Sequence, residues 1–158
     1  MDRLIVALAS AGYAGFFPRA PGTVGTAVGI LVYLLFSAFP PLVYLLSTGA
    51  FLALSCWVSE RAEVLLGQKD SPRIVIDEAA GYLITMALLP CTYTTIAGGF
   101  LFFRVLDIIK PPPAGWINRQ MKGGLGVVLD DAVAGGYANA LLWMASVLYP
   151  DFFFLLGR

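Results

Sequence analysis

From Ala20 to Ser59 the chain carries no charged side chain. Those 40 residues are enough for two helical crossings of a bilayer, since one needs about 20 apolar residues. Pro40-Pro41 lies near the middle of the run, where a helix must break. The run therefore predicts a helical hairpin over about 24–59, with helices near 24–38 and 42–59. The first is short for a full crossing and reads as tilted up from the interface. The second continues outward through Ser59-Glu60-Arg61-Ala62-Glu63 towards a helix stop at Gly67. A second charge-free stretch, 79–103, is interrupted by Pro90 and Gly98-Gly99 and reads as a broken or re-entrant segment or one kinked span. A third, 132–150, belongs to a C-terminal span over about 125–149. In it Ala134 and Ala138, and Gly135 and Asn139, are small residues four apart, a spacing that lets helices approach closely in lipid. The stretch Leu4–Phe17 follows a poorly basic Asp2-Arg3. It reads as an interfacial or partly buried helix rather than a cleaved signal. The fold class expected is a compact all-α membrane protein.

Composition agrees. Hydrophobic residues make up 59% and charged residues 13%, against roughly 45–50% and 25% in soluble domains. Ten basic and ten acidic residues cancel. A disordered chain needs the opposite balance, and a nucleic-acid binder needs a basic footprint. A soluble domain of 158 residues has too little interior to hide this much apolar surface. There is no histidine, which removes Ser-His-Asp and Cys-His catalysis and His-ligated zinc. Cys56 and Cys91 lie in apolar runs and read as two buried thiols.

The charges fall at the amino end, in 60–78, in 104–131 and at the last residues. The positive-inside rule places Arg61, Lys69 and Arg73 in the cytoplasm, and equally Arg104, Lys110, Arg119 and Lys122. Both groups can share that side only if 79–103 crosses an even number of times, which favours the re-entrant reading with Pro90 at its turn.

Four clusters carry the available chemistry. Pro21-Gly22-Thr23-Val24-Gly25-Thr26 runs a glycine–threonine loop into an apolar helix. Such a start either binds an anion through free amides and hydroxyls or is simply capped by Thr23. Asp77-Glu78 opens the second apolar stretch. Adjacent acids there either complement a helix dipole or wait for a cation. Arg104, Asp107 and Lys110 are three apart on an otherwise apolar turn that ends in Pro111-Pro112-Pro113. That pattern is either a salt-bridged helix end or a stripe facing metal or phosphate. Asp130-Asp131, after Gly123-Gly124-Leu125-Gly126, interrupts an apolar helix, and acids in hydrocarbon must be paired.

Together Asp77, Glu78, Asp107, Asp130 and Asp131 lie at the edges of membrane segments. With no histidine, an all-oxygen donor set implies a hard cation, by default Mg²⁺. Carboxylate-bound Mg²⁺ beside Arg and Lys is equipment for phosphoryl chemistry. A competing class is a small transporter or channel with a carboxylate-lined cation site. Acids at segment edges rather than mid-span favour a reaction at the membrane surface.

These motifs, Pro21-Gly22-Thr23-Val24-Gly25-Thr26, Ile74-Val75-Ile76-Asp77-Glu78 with Gly81, Phe103-Arg104 with Asp107 and Lys110-Pro111, and Gly123-Gly124 with Asp130-Asp131 and Ala134-Gly135, occur in the order seen in phosphatidylglycerophosphatase A. The sequence resembles that family from about residue 12 to 140. The resemblance implies one integral-membrane phosphatase domain over 1–158, in the bacterial inner membrane, with its site facing the cytoplasm. It implies Mg²⁺-dependent hydrolysis of phosphatidylglycerophosphate to phosphatidylglycerol and phosphate, with the lipid and the bilayer as partners and no nucleic acid or protein partner. Asp77, Glu78, Asp107, Asp130 and Asp131 would hold metal. Together with Lys110 they would be the catalytic set. Gly22, Thr23, Thr26, Arg104 and Lys110 would bind the substrate phosphate. The nucleophile is water or an aspartate, and both stay open. The family pattern carries an acid where this chain has Asn118, so Asn118 is left out of the site.

Overall fold

Pro21 opens the first long apolar helix, because a missing N–H costs nothing in a first turn. The computed structural model describes residues 1–150, and among them every regular element is helical. α1 spans Asp2–Ala9 and is followed by a short 3₁₀ turn, Ala14–Phe16. α2 spans Pro21–Phe36, α3 Pro41–Leu66, α4 Ile76–Thr85, α5 Tyr93–Ile109, α6 Ala114–Gln120 and α7 Gly123–Leu148. By length and apolarity α3 and α7 can each cross a bilayer, while α2 is a shorter apolar helix. Exposed Leu31, Leu35, Leu42, Leu46, Leu101 and Val147 give the bundle an apolar exterior. A soluble monomer rarely shows so much contiguous apolar surface, and lipid covers it at no cost.

The expected hairpin is α2 and α3. α2 begins three residues before the expected start, because Ala20 takes a left-handed φ of 50° that turns the chain into Pro21. α3 begins at Pro41 and stops at Gly67, whose φ of 64° suits glycine. The 79–103 stretch is broken, as expected, by a non-helical link around Pro90. Its two arms are unequal. α4 has 10 residues and α5 has 17, or roughly 15 and 25 Å. The Arg104–Lys110 cluster prolongs the second arm, since its three-residue spacing is helical.

A helix that stops within a bilayer leaves carbonyls without partners, which hydrocarbon does not tolerate. Neighbouring helices supply the donors. Tyr44 Oη donates to Leu83 O at 2.6 Å. Asn139 Nδ2 donates to Thr85 O at 2.9 Å and to Ala87 O at 3.0 Å. On the other side of the link, Thr92 and Thr95 form a reciprocal capping box at the start of α5.

α4 is the buried centre, packed between α2 and α7. Tyr33 and Phe103 each meet Tyr82 of α4 edge to face, with ring centroids 6.2 and 6.5 Å apart. The small residues of α7 allow close contact. A Cβ on Gly135 would collide with the Gly81 carbonyl of α4, and one on Gly124 with the Cys56 carbonyl of α3. Both cysteines are free, and neither is buried as expected: Cys56 is half-buried on α3 and Cys91 is exposed in the link.

Gly124→Ala is expected to cost about 1–3 kcal/mol through overpacking. Gly136→Ala, whose Cβ would meet nothing within 4 Å, should be neutral or stabilise slightly, because alanine is the better helix former. Thermal unfolding of both variants in one detergent checks the pair, and equal midpoints would contradict the close crossing of α3 and α7.

Candidate active site

Five helix ends meet at one end of the bundle: the starts of α2, α4 and α7, the last turns of α3, and the C-terminal turn of α5. Asp77 and Glu78 lie in the first turn of α4, where the helix dipole favours negative charge. Asp130 and Asp131 face inward from α7, and Asp107 from α5. One carboxylate oxygen each from Asp77, Glu78 and Asp131 lie within 4.8 Å of one another. Asp77 Oδ1, Glu78 Oε2, Asp130 Oδ1 and Asp131 Oδ2 are buried with no hydrogen-bond partner among the described residues.

Asp107 and Asp130 carry the closest ion pairs, and Glu78 is reached by a cation only at longer range. Arg104 Nη1 donates to Asp107 Oδ2 at 2.6 Å and lies 3.9 Å from Glu78 Oε1. Lys110 pairs with Asp130 Oδ2 and sits 3.9 Å from Asp107 Oδ1. Burial opposes the charge on Lys110, but the hydrogen-bonded Asp130 carboxylate together with the nearby Asp131 and Asp107 outweighs it and holds the ammonium above the usual lysine range. The Lys110 side chain is 31% exposed against 15% for Arg104, so Lys110 is the more accessible of the two cations. Arg119 and Lys122 make no ion pair with these acids among the described residues.

Five carboxylates against two cations leave an excess of three negative charges if all ionise. Buried charge must be compensated. The close approach of one carboxylate oxygen each from Asp77, Glu78 and Asp131, with no nitrogen or sulfur donor among them, fits a hard divalent cation.

The phosphate-binding group suggested by the sequence divides. Gly22 lies hard against the site. A Cβ there would collide with Glu78 Oε1 and stand 3.0 Å from both Arg104 Nη atoms. Thr23 sits in the first turn of α2 and does not cap it, since Ala20 holds the N-cap position. Thr26 is fully buried and donates to Gly22 O at 2.9 Å, so its hydroxyl secures the helix turn rather than facing the site.

Two residues left out of the expected site are joined to it. Asn118 Nδ2 donates to Asp130 Oδ2 and to Asp70 Oδ2, each at 2.9 Å. Asn118 thus ties the loop after α3 to α6 and α7. Asp70 lies in the loop between α3 and α4, and nothing in its spacing marks a partner 48 residues away.

An all-helical bundle with a lipid-facing exterior, holding acids and fixed cations at one rim, has the makings of a membrane phosphatase. Comparison narrows the class. The family model described as phosphatidylglycerophosphatase A matches residues 7–146. The phosphatidylglycerophosphatase A of Escherichia coli K12 is 32% identical over 137 residues, covering 86% of this chain and 80% of the relative. That of Haemophilus influenzae is 32% identical over 126 residues, covering 78% and 77%. A Bacteroides thetaiotaomicron protein provisionally named phosphatidylinositol-3-phosphatase is 32% identical over 139 residues, covering 83% and 86%. No solved structure matches. The chain belongs to the phosphatidylglycerophosphatase A family.

Gly22→Ala is expected to displace Glu78 and Arg104 together. Phosphatase turnover should fall by about 10²-fold, the scale of an ångström-level misplacement, with the helical circular dichroism unchanged. Wild-type turnover in that variant would show that the close approach of α2 does not matter to the site.

Proposed function

We propose that this protein is a divalent-cation-dependent phosphatase that hydrolyses phosphatidylglycerophosphate to phosphatidylglycerol and phosphate, at the cytoplasmic face of a bacterial inner membrane. The observation that carries the reading is the convergence of Asp77, Glu78 and Asp131 beside Arg104 and Lys110 at one end of an apolar bundle. The clustering of Arg61, Lys69, Arg73, Arg119 and Lys122 in that end's loops and helix ends supports the cytoplasmic assignment.

Asp77, Glu78 and Asp131 would hold Mg²⁺. When bound there, the ion supplies charge neutralisation and Lewis-acid activation. Lys110 meets the terminal phosphate, and Arg104 and the start of α2 at Gly22 and Thr23 complete its surroundings. Asp107 positions both cations by pairing with each. Asp130, held by Asn118, keeps Lys110 at the rim. In the net reaction a water oxygen bonds to phosphorus, the bond to the glycerol oxygen breaks, and that oxygen leaves with a proton. Fixed charges in a site with little water stabilise the developing negative charge without reorganising.

The test is phosphate release from phosphatidylglycerophosphate by purified protein in detergent. Release with Mg²⁺, loss with EDTA and recovery on re-adding Mg²⁺ are expected. Asp107→Asn should lose about 10²–10³-fold in turnover, the scale of removing one preorganised electrostatic group, with its fold intact. Release indifferent to EDTA would refute the cation's role, and unchanged turnover in Asp107→Asn would refute the role of that acid. Faster release from phosphatidylinositol 3-phosphate would transfer the substrate assignment to that lipid.

A further inference from the structure

The Lys110–Asp130 pair stands at the head of an apolar groove. On α5, Leu106 lies one turn below Lys110. On α7, Tyr137 and Met144 follow Asp130 at successive intervals of seven residues, so all three share one face. Leu106, Pro111, Pro112, Tyr137, Ala140 and Met144 line a cavity of about 390 Å³ between the two helices. The Tyr137 hydroxyl is spent on Pro112 O at 2.8 Å, which joins the α5–α6 turn to α7 across the top of the groove. Below that bond the lining is apolar. Tyr137, Ala140 and Met144 are exposed, so the groove opens sideways towards lipid.

Its depth is informative. Along α7, Tyr137 lies roughly 9 Å and Met144 roughly 20 Å from Asp131, at 1.5 Å per residue. One leaflet of hydrocarbon is about 15 Å deep. With a phosphate at Lys110, the upper part of the groove, from Tyr137 to Ala140, lies at the depth of the acyl chains attached to it.

We infer that this groove seats an acyl chain of the lipid whose phosphate Lys110 receives. The inference rests on the lipid-phosphatase reading and adds a second point of recognition to it. The headgroup is selected by charge at the rim, and the chain by the apolar channel directly beneath. Substrate would enter sideways from the leaflet rather than being lifted out of it.

The experiment compares dioleoyl and dihexanoyl phosphatidylglycerophosphate in the same detergent, with wild type and Ala140→Trp, which fills the groove. KM for the dioleoyl lipid should rise fivefold or more at similar kcat, while the dihexanoyl lipid is unaffected. Equal effects on the two lipids, or none on either, would overturn the inference. A second measurement needs no folded variant of the groove. Wild type held in EDTA is photolysed with an analogue carrying a diazirine in its acyl chain. Cross-links should fall on Tyr137, Ala140 or Met144 and be competed by unlabelled phosphatidylglycerophosphate but not by phosphatidylcholine. Cross-links elsewhere, or competition by both lipids, would overturn it. If wild type releases no phosphate from either lipid, the functional reading itself fails, and the cross-linking pattern stands apart from that result.

Discussion

Everything at the rim of this bundle answers one electrostatic constraint: five carboxylates on three helices, with two cations among them, sit where an apolar fold gives them little water. Buried charge of one sign pulls a structure apart unless it is compensated. Two acids are compensated from within, Asp107 by Arg104 and Asp130 by Lys110 with Asn118. Asp77 and Asp131 have no ion pair among the described residues and Glu78 has only Arg104 at 3.9 Å, while one oxygen from each of the three lies within 4.8 Å of the others. The division assigns different work to acids that look alike in sequence. In the proposed mechanism one set would hold a cation, and the other places the side chains that would meet an anion.

The bundle that presents these acids rests on a second constraint, the cost of an unpaired carbonyl in hydrocarbon. α4 must end within the membrane for Asp77 and Glu78 to lie at the same rim as Asp107 and Asp131. That ending is tolerable because Tyr44 and Asn139 reach its last carbonyls. The glycines of α7 let the neighbouring helices come near enough to do this. Membrane packing and the geometry of the site are therefore one problem solved by the same residues.

Much of this was legible in the chain. Charge-free runs have the length of spans, and Pro40-Pro41, Gly67 and Pro90 mark where helices break. The acids stood out because apolar helices give them no ordinary role. The division between paired and unpaired acids was not legible, because it depends on contacts such as Lys110 with Asp130, twenty residues apart. Thr26 shares a motif with Gly22, but helical geometry carries its hydroxyl back to the Gly22 carbonyl. Asn118 looked like the loss of an acid. Its position shows what a neutral donor does there, which is to bridge two carboxylates that would otherwise repel.

Binding of Mn²⁺, a spectroscopic substitute for Mg²⁺, to purified protein followed by electron paramagnetic resonance bears most directly on the convergence of the three acids. Wild type should bind the ion stoichiometrically at micromolar concentrations. Asp77→Asn, Glu78→Gln and Asp131→Asn should each weaken binding at least tenfold, and Asp130→Asn far less. Absence of binding by wild type, or equal weakening in all four variants, would contradict the division of the acids.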